Sequence, residues 1–408
     1  MYLLLQLLVI VLAVISQEHE AIAAYVPPYT SIVVPVNKHT DAAKPLYSVQ
    51  IMTSYVNMQF LHANFLIDID APFIWHDCIV KWNLYFPDSC PNNTLCTSPL
   101  SCEEFQCTQV RTSYSYKNPS CSPETNSSTL PGWGFCTCPV NVVNPMTGSC
   151  DRALMNYDVF TVNTSDGRNV FDGFYGAYPN AACAPSSSFA SFPANVVGLM
   201  AFSSSPYALP AYLFEPLKKT LALCFPSKPS SPGVIFVGTG PYYLLPQSNV
   251  DVRSYLSYTP LLKHQDSFGY FISVNSIVIK KDLSMFPRIL LPSLVQWILT
   301  PLLEQTFITA CTSTTGLKVP DIDFILPDGK KWTVSTANSI KQVTSEVACL
   351  VFVDGGSTSE PAIVIGTFQF EDNFLEFDLE NSTLAFSSSL LRKQTSCANF
   401  NFTLTNGP

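Results

Sequence analysis

The run from Phe65 to Trp75 constrains the fold more than any other stretch, because it places carboxylates inside an apolar sequence. Such a run predicts a buried strand that ends in a turn. A buried carboxylate is unfavourable unless it is hydrogen-bonded, shared with another group or protonated. Asp68 stands at the centre of the run, so the fold must supply a partner for its side chain.

Length and composition indicate a large β-rich protein. The chain has 408 residues, which is enough for two domains or one large bilobal fold. Its 32 prolines favour many short strands and turns over long helices. The net charge of -9 and the lack of a basic block argue against a nucleic-acid partner.

The N-terminal residues predict a secretory leader. Leu3 to Ile15 form an apolar run that is short for a membrane span, and Ala21 to Ala23 offer small residues at a cleavage site. We predict a signal peptide over residues 1–23, in preference to a buried N-terminal helix. Since no later run predicts a membrane span, we expect a secreted, soluble protein.

The cysteines favour an oxidising compartment. There are 14, and nine lie between Cys78 and Cys150. Cys136 and Cys138 have metal-like spacing, but without a nearby histidine pair we expect disulfides, no metal and no cofactor. Five Asn-X-Ser/Thr sequons predict exposed glycosylation sites. They are Asn92, Asn126, Asn163, Asn381 and Asn401.

The order of motifs indicates a faint internal duplication. An apolar-apolar-Gly run occurs at Val196–Gly198 and again at Ile363–Gly366. Only the first half also carries an apolar-Asp loop. Residues 224–232 are rich in proline and serine and predict a linker between two lobes. Apolar spacing predicts a helix over Leu294–Cys311, with a shorter one over Ala208–Leu221.

The Asp68 loop, with Ile74-Trp75 after it, resembles the first catalytic loop of pepsin-like aspartic proteases. Three later blocks are similar to the plant extracellular branch of that group: xylanase inhibitors, xyloglucan endoglucanase inhibitors, dermal glycoproteins and basic 7S globulins. The blocks are Val353–Ser357, Ile363–Gly366 and Ser396–Thr403. The resemblance spans about residues 29–402. It implies an all-β, bilobal, disulfide-rich pepsin-like fold with few short helices and lobes at 24–226 and 227–408.

The resemblance also implies a framework of six or seven disulfides. The pairs expected from it are Cys78–Cys183, Cys224–Cys397 and Cys311–Cys349. The other eight cysteines should pair among themselves between Cys90 and Cys150.

The motif is broken where catalysis needs it. Aspartic proteolysis requires two carboxylates that share a proton and activate water, and the family's Asp is followed by Thr/Ser and Gly. Here Ile69 and Asp70 follow Asp68, and Pro287 and Arg288 lie near the expected second Asp. The flap tyrosine is also missing, since residues 144–148 occupy that region.

We therefore expect an inactive homologue. Asp68 should be a structural carboxylate bonded to the amides of its own loop. The neighbouring His76 is predicted to be an exposed loop histidine, and Cys78 to be disulfide-bonded.

The resemblance implies a monomeric, extracellular protein of the apoplast or cell wall. Its partner would be a microbial glycoside hydrolase, a xylanase or xyloglucan endoglucanase, or another protein ligand. In this group a basic side chain on a C-terminal loop meets the hydrolase's carboxylates. The matching residues are Arg392, Lys393 and Gln394, where Gln394 replaces the arginine of endoglucanase-inhibiting relatives. An ordinary solvated basic turn is the alternative for this loop.

Two other functions stay open. One is an active aspartic endopeptidase, which pepstatin-sensitive cleavage at acid pH would reveal. The other is a seed storage or cell-surface ligand-binding globulin.

Overall fold

The structure, a computed structural model, describes the chain in blocks. They are residues 28–40, 46–55, 59–81, 91, 94–111, 136–215, 217–244, 249–265, 267–279, 295–298, 310–314, 319, 321–352 and 363–407. At residues 54–55, 59–60, 295–298 and 310–312 the description covers the backbone only. Within these blocks, no helix combines the length and the apolar character that a membrane crossing requires. The predicted leader, residues 1–23, lies outside the described residues.

Strands dominate, as the short apolar runs predict. The strands up to residue 260 are β1 (Ser31–His39), β2 (Leu46–Tyr55), β3 (Gln59–Asp68), β4 (Ile74–Asp77), β5 (Ile79–Val80), β6 (Cys96–Pro99), β7 (Pro139–Val143), β8 (Cys150–Tyr157), β9 (Phe160–Ser165), β10 (Val170–Ala177), β11 (Asn180–Ala184), β12 (Val196–Ala201), β13 (Thr220–Cys224), β14 (Gly233–Val237) and β15 (Ser257–Pro260).

The later strands are shorter. They are β16 (Ser273–Val274), β17 (Ser276–Ile279), β18 (Val295–Ile298), β19 (Ala310–Ser313), β20 (Ile322–Ile325), β21 (Lys331–Val334), β22 (Ile340–Gln342), β23 (Val347–Leu350), β24 (Ile363–Val364), β25 (Phe374–Asp378), β26 (Thr383–Phe386) and β27 (Leu404–Thr405).

Helices in the described blocks are short. The α-helices are α1 (Phe105–Arg111), α2 (Leu209–Leu213) and α3 (Thr367–Phe370). Single 3₁₀ turns occupy Ser186–Phe189, Val252–Tyr255, Thr336–Asn338, Leu390–Lys393 and Cys397–Asn399. α2 lies inside the predicted Ala208–Leu221 helix, and Pro210 stands in its first turn, where its missing N–H is no loss.

The largest sheet closes on itself and combines strands from both halves of the chain. β1 pairs with β2, β9 and β14, and β13 lies between β14 and β25. Residues 225–232, predicted as a linker, therefore join two adjacent antiparallel strands of one sheet. Because this sheet contains strands from both sides of the predicted boundary at residues 226 and 227, the boundary between the lobes stays a prediction. Three further sheets of three strands each have the orders β16-β18-β24, β17-β20-β21 and β19-β23-β22.

The predicted helix over Leu294–Cys311 is wrong at both of its ends. Val295–Ile298 forms β18, and Ala310–Ser313 forms β19. β18 pairs with both β16 and β24, and β19 pairs with β23. Sheet pairing thus overrides the helical spacing of the apolar residues, since propensity and pattern are weaker than tertiary context.

One main core joins the two halves. Phe65 and Ile235 belong to the same buried cluster as Trp332 and Phe370. The rings of Trp332 and Phe370 lie parallel, with centroids 5.9 Å apart and planes 2° from parallel. The two halves therefore bury their apolar faces together, and a substitution in either half acts on the shared core.

A buried polar contact accompanies this core. Lys38 Nζ lies 2.6 Å from Glu371 Oε1, and the Tyr47 hydroxyl donates to the same oxygen. The Lys38 and Glu371 side chains are only 12% and 6% exposed. Burial raises the pKa of Glu371, while Lys38 and Tyr47 oppose that shift. The contact joins β1 and β2 to the residue that follows α3.

Disulfides secure both halves. The structure contains Cys78–Cys183 and Cys224–Cys397, two pairs that the resemblance implies, and Cys102–Cys136 and Cys107–Cys138 inside the predicted Cys90–Cys150 region. Cys96 and Cys150 are also disulfide-bonded. Cys90 and Cys121 lie outside the described residues.

The pair Cys311–Cys349 stays a prediction. Cys349 is disulfide-bonded, and the backbone register places Cys311 directly opposite it. The side chain of Cys311 lies outside the described part of the chain.

Removing the Cys224–Cys397 bridge should destabilise the protein strongly. The bridge spans 173 residues, and both cysteines are fully buried. A long closed loop loses more chain entropy than a short one, so Cys224→Ala with Cys397→Ala should lower the free energy of unfolding by about 2–5 kcal/mol. Urea denaturation followed by tryptophan fluorescence measures the loss. The matched control is Cys102→Ala with Cys136→Ala, which opens a 34-residue span and should lose less; equal losses would contradict the entropic account.

Candidate functional site

Asp68 is the last residue of β3, and the loop after it turns into β4. β12 runs parallel to β3, with Ala201 opposite Asp68. The Phe202 N–H donates to the Asp68 carbonyl at 2.6 Å. The apolar-Asp strand and the apolar-apolar-Gly strand thus form one interlocked unit in the first half.

The Asp68 carboxylate is held by its own loop. Oδ1 accepts hydrogen bonds from the N–H groups of Asp70 at 2.8 Å and Ala71 at 2.9 Å. Burial raises the pKa of Asp68 to about 6, the nearby Asp70 charge adds to this, and the two N–H groups oppose it. Asp68 is therefore a partly buried acid that is neutral in mildly acidic solution.

Ile69 occupies the position where the protease motif has a hydroxyl residue. Its side chain is fully buried in the main core with Ile67 and Ile74. A β-branched apolar side chain cannot supply a hydrogen bond across the loops. This position stabilises the core and makes no contribution to proton transfer.

Asp70, at the motif's glycine position, binds a segment from far along the chain. The Ser267 hydroxyl donates to Asp70 Oδ1 at 2.5 Å. The Gly269 N–H donates to the Ser267 hydroxyl at 2.9 Å. Burial raises the pKa of Asp70, and the Ser267 hydroxyl and the nearby N–H groups of Gly269 and Phe268 oppose that shift. From the other side, Ser204 donates to the Phe268 carbonyl through its N–H at 2.9 Å and its hydroxyl at 2.8 Å.

Gly269 suits this close approach. A Cβ at residue 269 would lie 3.0 Å from Asp70 Oδ1. The Ser267–Gly269 segment therefore lies directly on the loop that carries Asp68. Next along the chain, the Tyr270 hydroxyl donates to the Phe202 carbonyl at 2.9 Å. The carboxylate that departs from the protease motif is thus a partly buried structural acceptor.

The second half repeats the strand arrangement without the aspartate. β18 runs parallel to β24, as β3 does to β12. Residues 285–290, with Pro287 and Arg288 near the expected second aspartate, lie outside the described residues. Their sequence contains no Asp-Thr/Ser-Gly.

The flap region is a hairpin of β7 and β8. Its turn begins at Asn144, whose side-chain amide donates to the Ser188 carbonyl at 2.8 Å and to the Ser191 hydroxyl at 3.0 Å. The Asn144 side-chain oxygen accepts the Met146 N–H at 2.8 Å. An asparagine that ties the turn to the 3₁₀ segment at Ser186–Phe189 stands where a protease would present tyrosine to its substrate.

The prediction of an exposed His76 is wrong. His76 is 1% exposed, because β4 lies between β11 and β12 and its side chain packs towards Phe65. Its Nε2 lies 2.5 Å from Asp158 Oδ2. Burial lowers the pKa of His76, but the Asp158 carboxylate more than offsets this and the pKa is raised. No local sequence pattern predicts this pair, whose members are 82 residues apart.

The predicted basic loop is a 3₁₀ turn held by a disulfide. Arg392 Nη2 lies 2.6 Å from Asp321 Oδ2, and the Arg392 side chain is 52% exposed. Lys393 Nζ lies 5.2 Å from the centre of the Tyr255 ring. Gln394 ends the turn with a φ of 57°, and Cys397 is bonded to Cys224 shortly after. The turn therefore has a defined conformation with its cations at the surface.

The remaining candidates are placed as follows. Cys136 and Cys138 each form a disulfide, so the metal alternative for that pair does not apply. Asn381 and Asn401 are exposed, and Asn163 lies in β9. Asn92 and Asn126 lie outside the described residues.

Comparisons with known proteins agree with this geometry. The family models "Xylanase inhibitor N-terminal" and "Xylanase inhibitor C-terminal" match residues 51–239 and 306–388. Gamma conglutin 1 of Prunus dulcis is 32% identical over 407 residues, covering 89% of this chain and 88% of that protein. The chain belongs to the xylanase inhibitor family.

Further similarity extends over the same length. The protein named Chitinase CLP, from Oryza sativa subsp. japonica, is 29% identical over 416 residues and covers 89% of this chain and 90% of its own. The crystal structure of EDGP superposes with a TM-score of 0.73 at 27% identity, covering 93% of this chain and 100% of the other. The all-β, disulfide-rich, pepsin-like fold predicted for this xylanase inhibitor family member is confirmed.

Replacing Asp68 should change how stability depends on pH. Because the pKa of Asp68 is raised from 3.8 to about 6, the folded state binds its proton more tightly, and stability is lost as pH rises through 6. Asp68→Asn keeps the acceptor oxygen and removes the charge. Relative to wild type it should gain about 1–3 kcal/mol between pH 4 and pH 7. Urea titrations at several pH values measure this, and a constant difference would exclude the buried-acid account.

Removing the Asp70 carboxylate should loosen the Ser267–Gly269 segment. Asp70→Ala leaves buried donors without an acceptor, so we expect a loss of about 1–3 kcal/mol of stability. It should also lower the pKa of Asp68, because the neighbouring negative charge is gone. Carboxyl NMR titration reports that pKa. The control is Asp172→Ala, on an exposed position of β10, which should leave both quantities unchanged.

Proposed function

We propose that this chain is a secreted, proteolytically inactive member of the xylanase inhibitor family that binds and inhibits a microbial glycoside hydrolase. The target class is a xylanase or a xyloglucan endoglucanase, and the setting is plant defence in the apoplast or cell wall. The observation that carries the proposal is the basic turn at Arg392 and Lys393, held in place by the Cys224–Cys397 bridge.

The proposed lack of proteolysis rests on the hydrogen bonds that the Asp68 and Asp70 carboxylates already make. Proteolysis needs a second carboxylate across a shared water, and a carboxylate free to exchange protons with it. Asp68 accepts two N–H groups of its own loop, and Asp70 is bonded to Ser267–Gly269. Neither acid is arranged to act as the partner of the other.

The basic turn suits a glycosidase cleft. Such a cleft contains two carboxylates, of which at least one is ionised, and a guanidinium binds a carboxylate through charge-assisted hydrogen bonds. A turn fixed by a disulfide loses little conformational entropy on binding. Leu391, 50% exposed beside Arg392, would add apolar contact.

Asp321 pairs with Arg392 and so affects how readily Arg392 can bind a carboxylate of a partner. Arg392 Nη2 donates to the 22% exposed Asp321 carboxylate, and the Arg392 side chain as a whole is 52% exposed. The ion pair thus orients the cation before a partner arrives. Exchanging Asp321 for a hydrolase carboxylate would be close to neutral in charge terms, whereas Lys393 would give up only its contact with the Tyr255 ring.

Secretion supports the same function. The predicted leader, the disulfides and the family relatives all suit an oxidising extracellular setting. A seed-globulin function is the second candidate, because the relative at 32% identity is a gamma conglutin. Abundance in seed without hydrolase binding would favour that candidate.

Neutralising the basic turn should weaken inhibition. Arg392→Ala with Lys393→Ala removes both cations, and we expect binding to weaken by about 2–5 kcal/mol if either is buried at the interface. Inhibition constants against a panel of fungal xylanases and endoglucanases measure the change. Lys218→Ala with Lys219→Ala removes two adjacent exposed cations elsewhere and serves as the charge-matched control.

The proposal has a clear contrary outcome. If both double variants inhibit a responsive hydrolase equally, the turn is only a solvated basic surface. If no hydrolase from a fungal culture filtrate is retained on the purified wild-type protein, inhibition itself is excluded for that set of enzymes.

A further inference from the structure

An exposed aromatic surface lies on the outer face of β10, away from the basic turn. Phe174 is 54% exposed and Tyr178, just after the strand, is 72% exposed. Side chains alternate along a strand, so Asp172, Phe174 and Gly176 share one face. All three are more exposed than their neighbours Phe171 and Ala177, which are buried. Two large aromatic side chains within five residues of each other are therefore exposed to solvent.

Gly176 lets the Tyr178 ring lie back along the strand. A Cβ at residue 176 would meet the Tyr178 hydroxyl oxygen at 3.6 Å and two of its ring carbons at 3.8 Å. Because residue 176 has no side chain, the Tyr178 ring can lie over it, on the face of β10 that also carries Phe174. We call these two exposed side chains, Phe174 and Tyr178, the β10 aromatic face.

A sequon asparagine lies directly beside this face. Asn163 of β9 is the cross-strand partner of Phe174. Phe160 and Val162, on the other face of β9, point into the main core, so the half-buried Asn163 lies on the opposite face, on the same side as Phe174. Directly opposite residues have Cβ atoms about 5 Å apart. The sequon continues with Thr164 and Ser165.

We propose that Asn163 carries an N-linked glycan and that its first N-acetylglucosamine packs on the β10 aromatic face. The C–H face and the acetyl methyl of this sugar are apolar, and an exposed ring is a favourable surface for them. The sugar is attached to Asn163 itself, and one sugar ring is long enough to reach from Asn163 to the Phe174 side chain. The inference rests on passage through the secretory pathway, which is part of the proposed function, but it needs no hydrolase partner.

Asn381 offers a matched comparison. It carries a sequon, but it lies in the exposed turn between β25 and β26, and its side-chain amide donates to Asp378 Oδ2 at 2.7 Å. Residues 378–383 include no aromatic. A glycan at Asn381 would extend into solvent, whereas the glycan at Asn163 has a protein surface to cover.

The first test uses the full chain secreted from plant cells. Mass spectrometry of glycopeptides should show Asn163 occupied. Release of the glycan from the native protein by peptide N-glycosidase should be about two- to tenfold slower at Asn163 than at Asn381, since the sugar must leave the aromatic face before the enzyme reaches the linkage. Phe174→Thr with Tyr178→Ser should remove the difference while keeping strand-compatible residues.

A double-variant cycle provides the second test. Asn163→Gln should lower the thermal midpoint in the wild-type background and leave it unchanged in the Phe174→Thr background, because the contact is already lost. Asn381→Gln should have the same effect in both backgrounds. The proposal fails if Asn163 is unoccupied in protein that is glycosylated at Asn381. It fails equally if release rates match at the two sites, or if Asn163→Gln and Phe174→Thr are additive.

Discussion

The carboxylate of Asp68, accepting two N–H groups at the end of a buried strand, is the contact around which the first half is arranged. An acid in this position needs amides turned back towards it, and only a tight loop supplies them. That loop directs β4 away from β3, and β12 then fills the place between them, paired with both. The buried pair of His76 and Asp158 belongs to the same arrangement, because it joins β4 to the residues just before β9.

How far the sequence predicts this fold depends on how local each signal is. The apolar run at Phe65–Trp75 and the glycine at residue 198 are local, and both strands were predictable from them. Gly198 is needed because a Cβ there would lie 2.4 Å from the His76 Cβ, a close approach that β4 and β12 share. The stretch from Leu294 fails as a prediction because its apolar spacing fits a helix, while the decisive factor is pairing with β24, some 65 residues later.

The candidate site divides in the same way. The position of Asp68 at the end of a strand, held by its own loop, follows from the motif. The role of Asp70 does not, since its partner Ser267 is 197 residues away and no local pattern connects them. His76 was assigned to the surface for the same reason: a histidine next to a disulfide cysteine gives no sign of a carboxylate that arrives from the β8–β9 connection. Buried polar pairs of high sequence separation are what single-sequence reasoning misses.

These contacts explain how the chain keeps a pepsin-like fold without the protease motif. In an active protease two acids lie close together around one water, and the repulsion between like charges is a source of instability. Here Ile69 adds apolar burial, and Asp70 converts the glycine position into an acceptor for the second half of the chain. Glu371 does the same from the other direction, bound by Lys38 and Tyr47. Asp70 and Glu371 are each bound by donors from the other half of the chain, so the two halves are joined at two places. A body joined in this way would support the binding turn proposed at its surface, because binding would then order little beyond the turn itself.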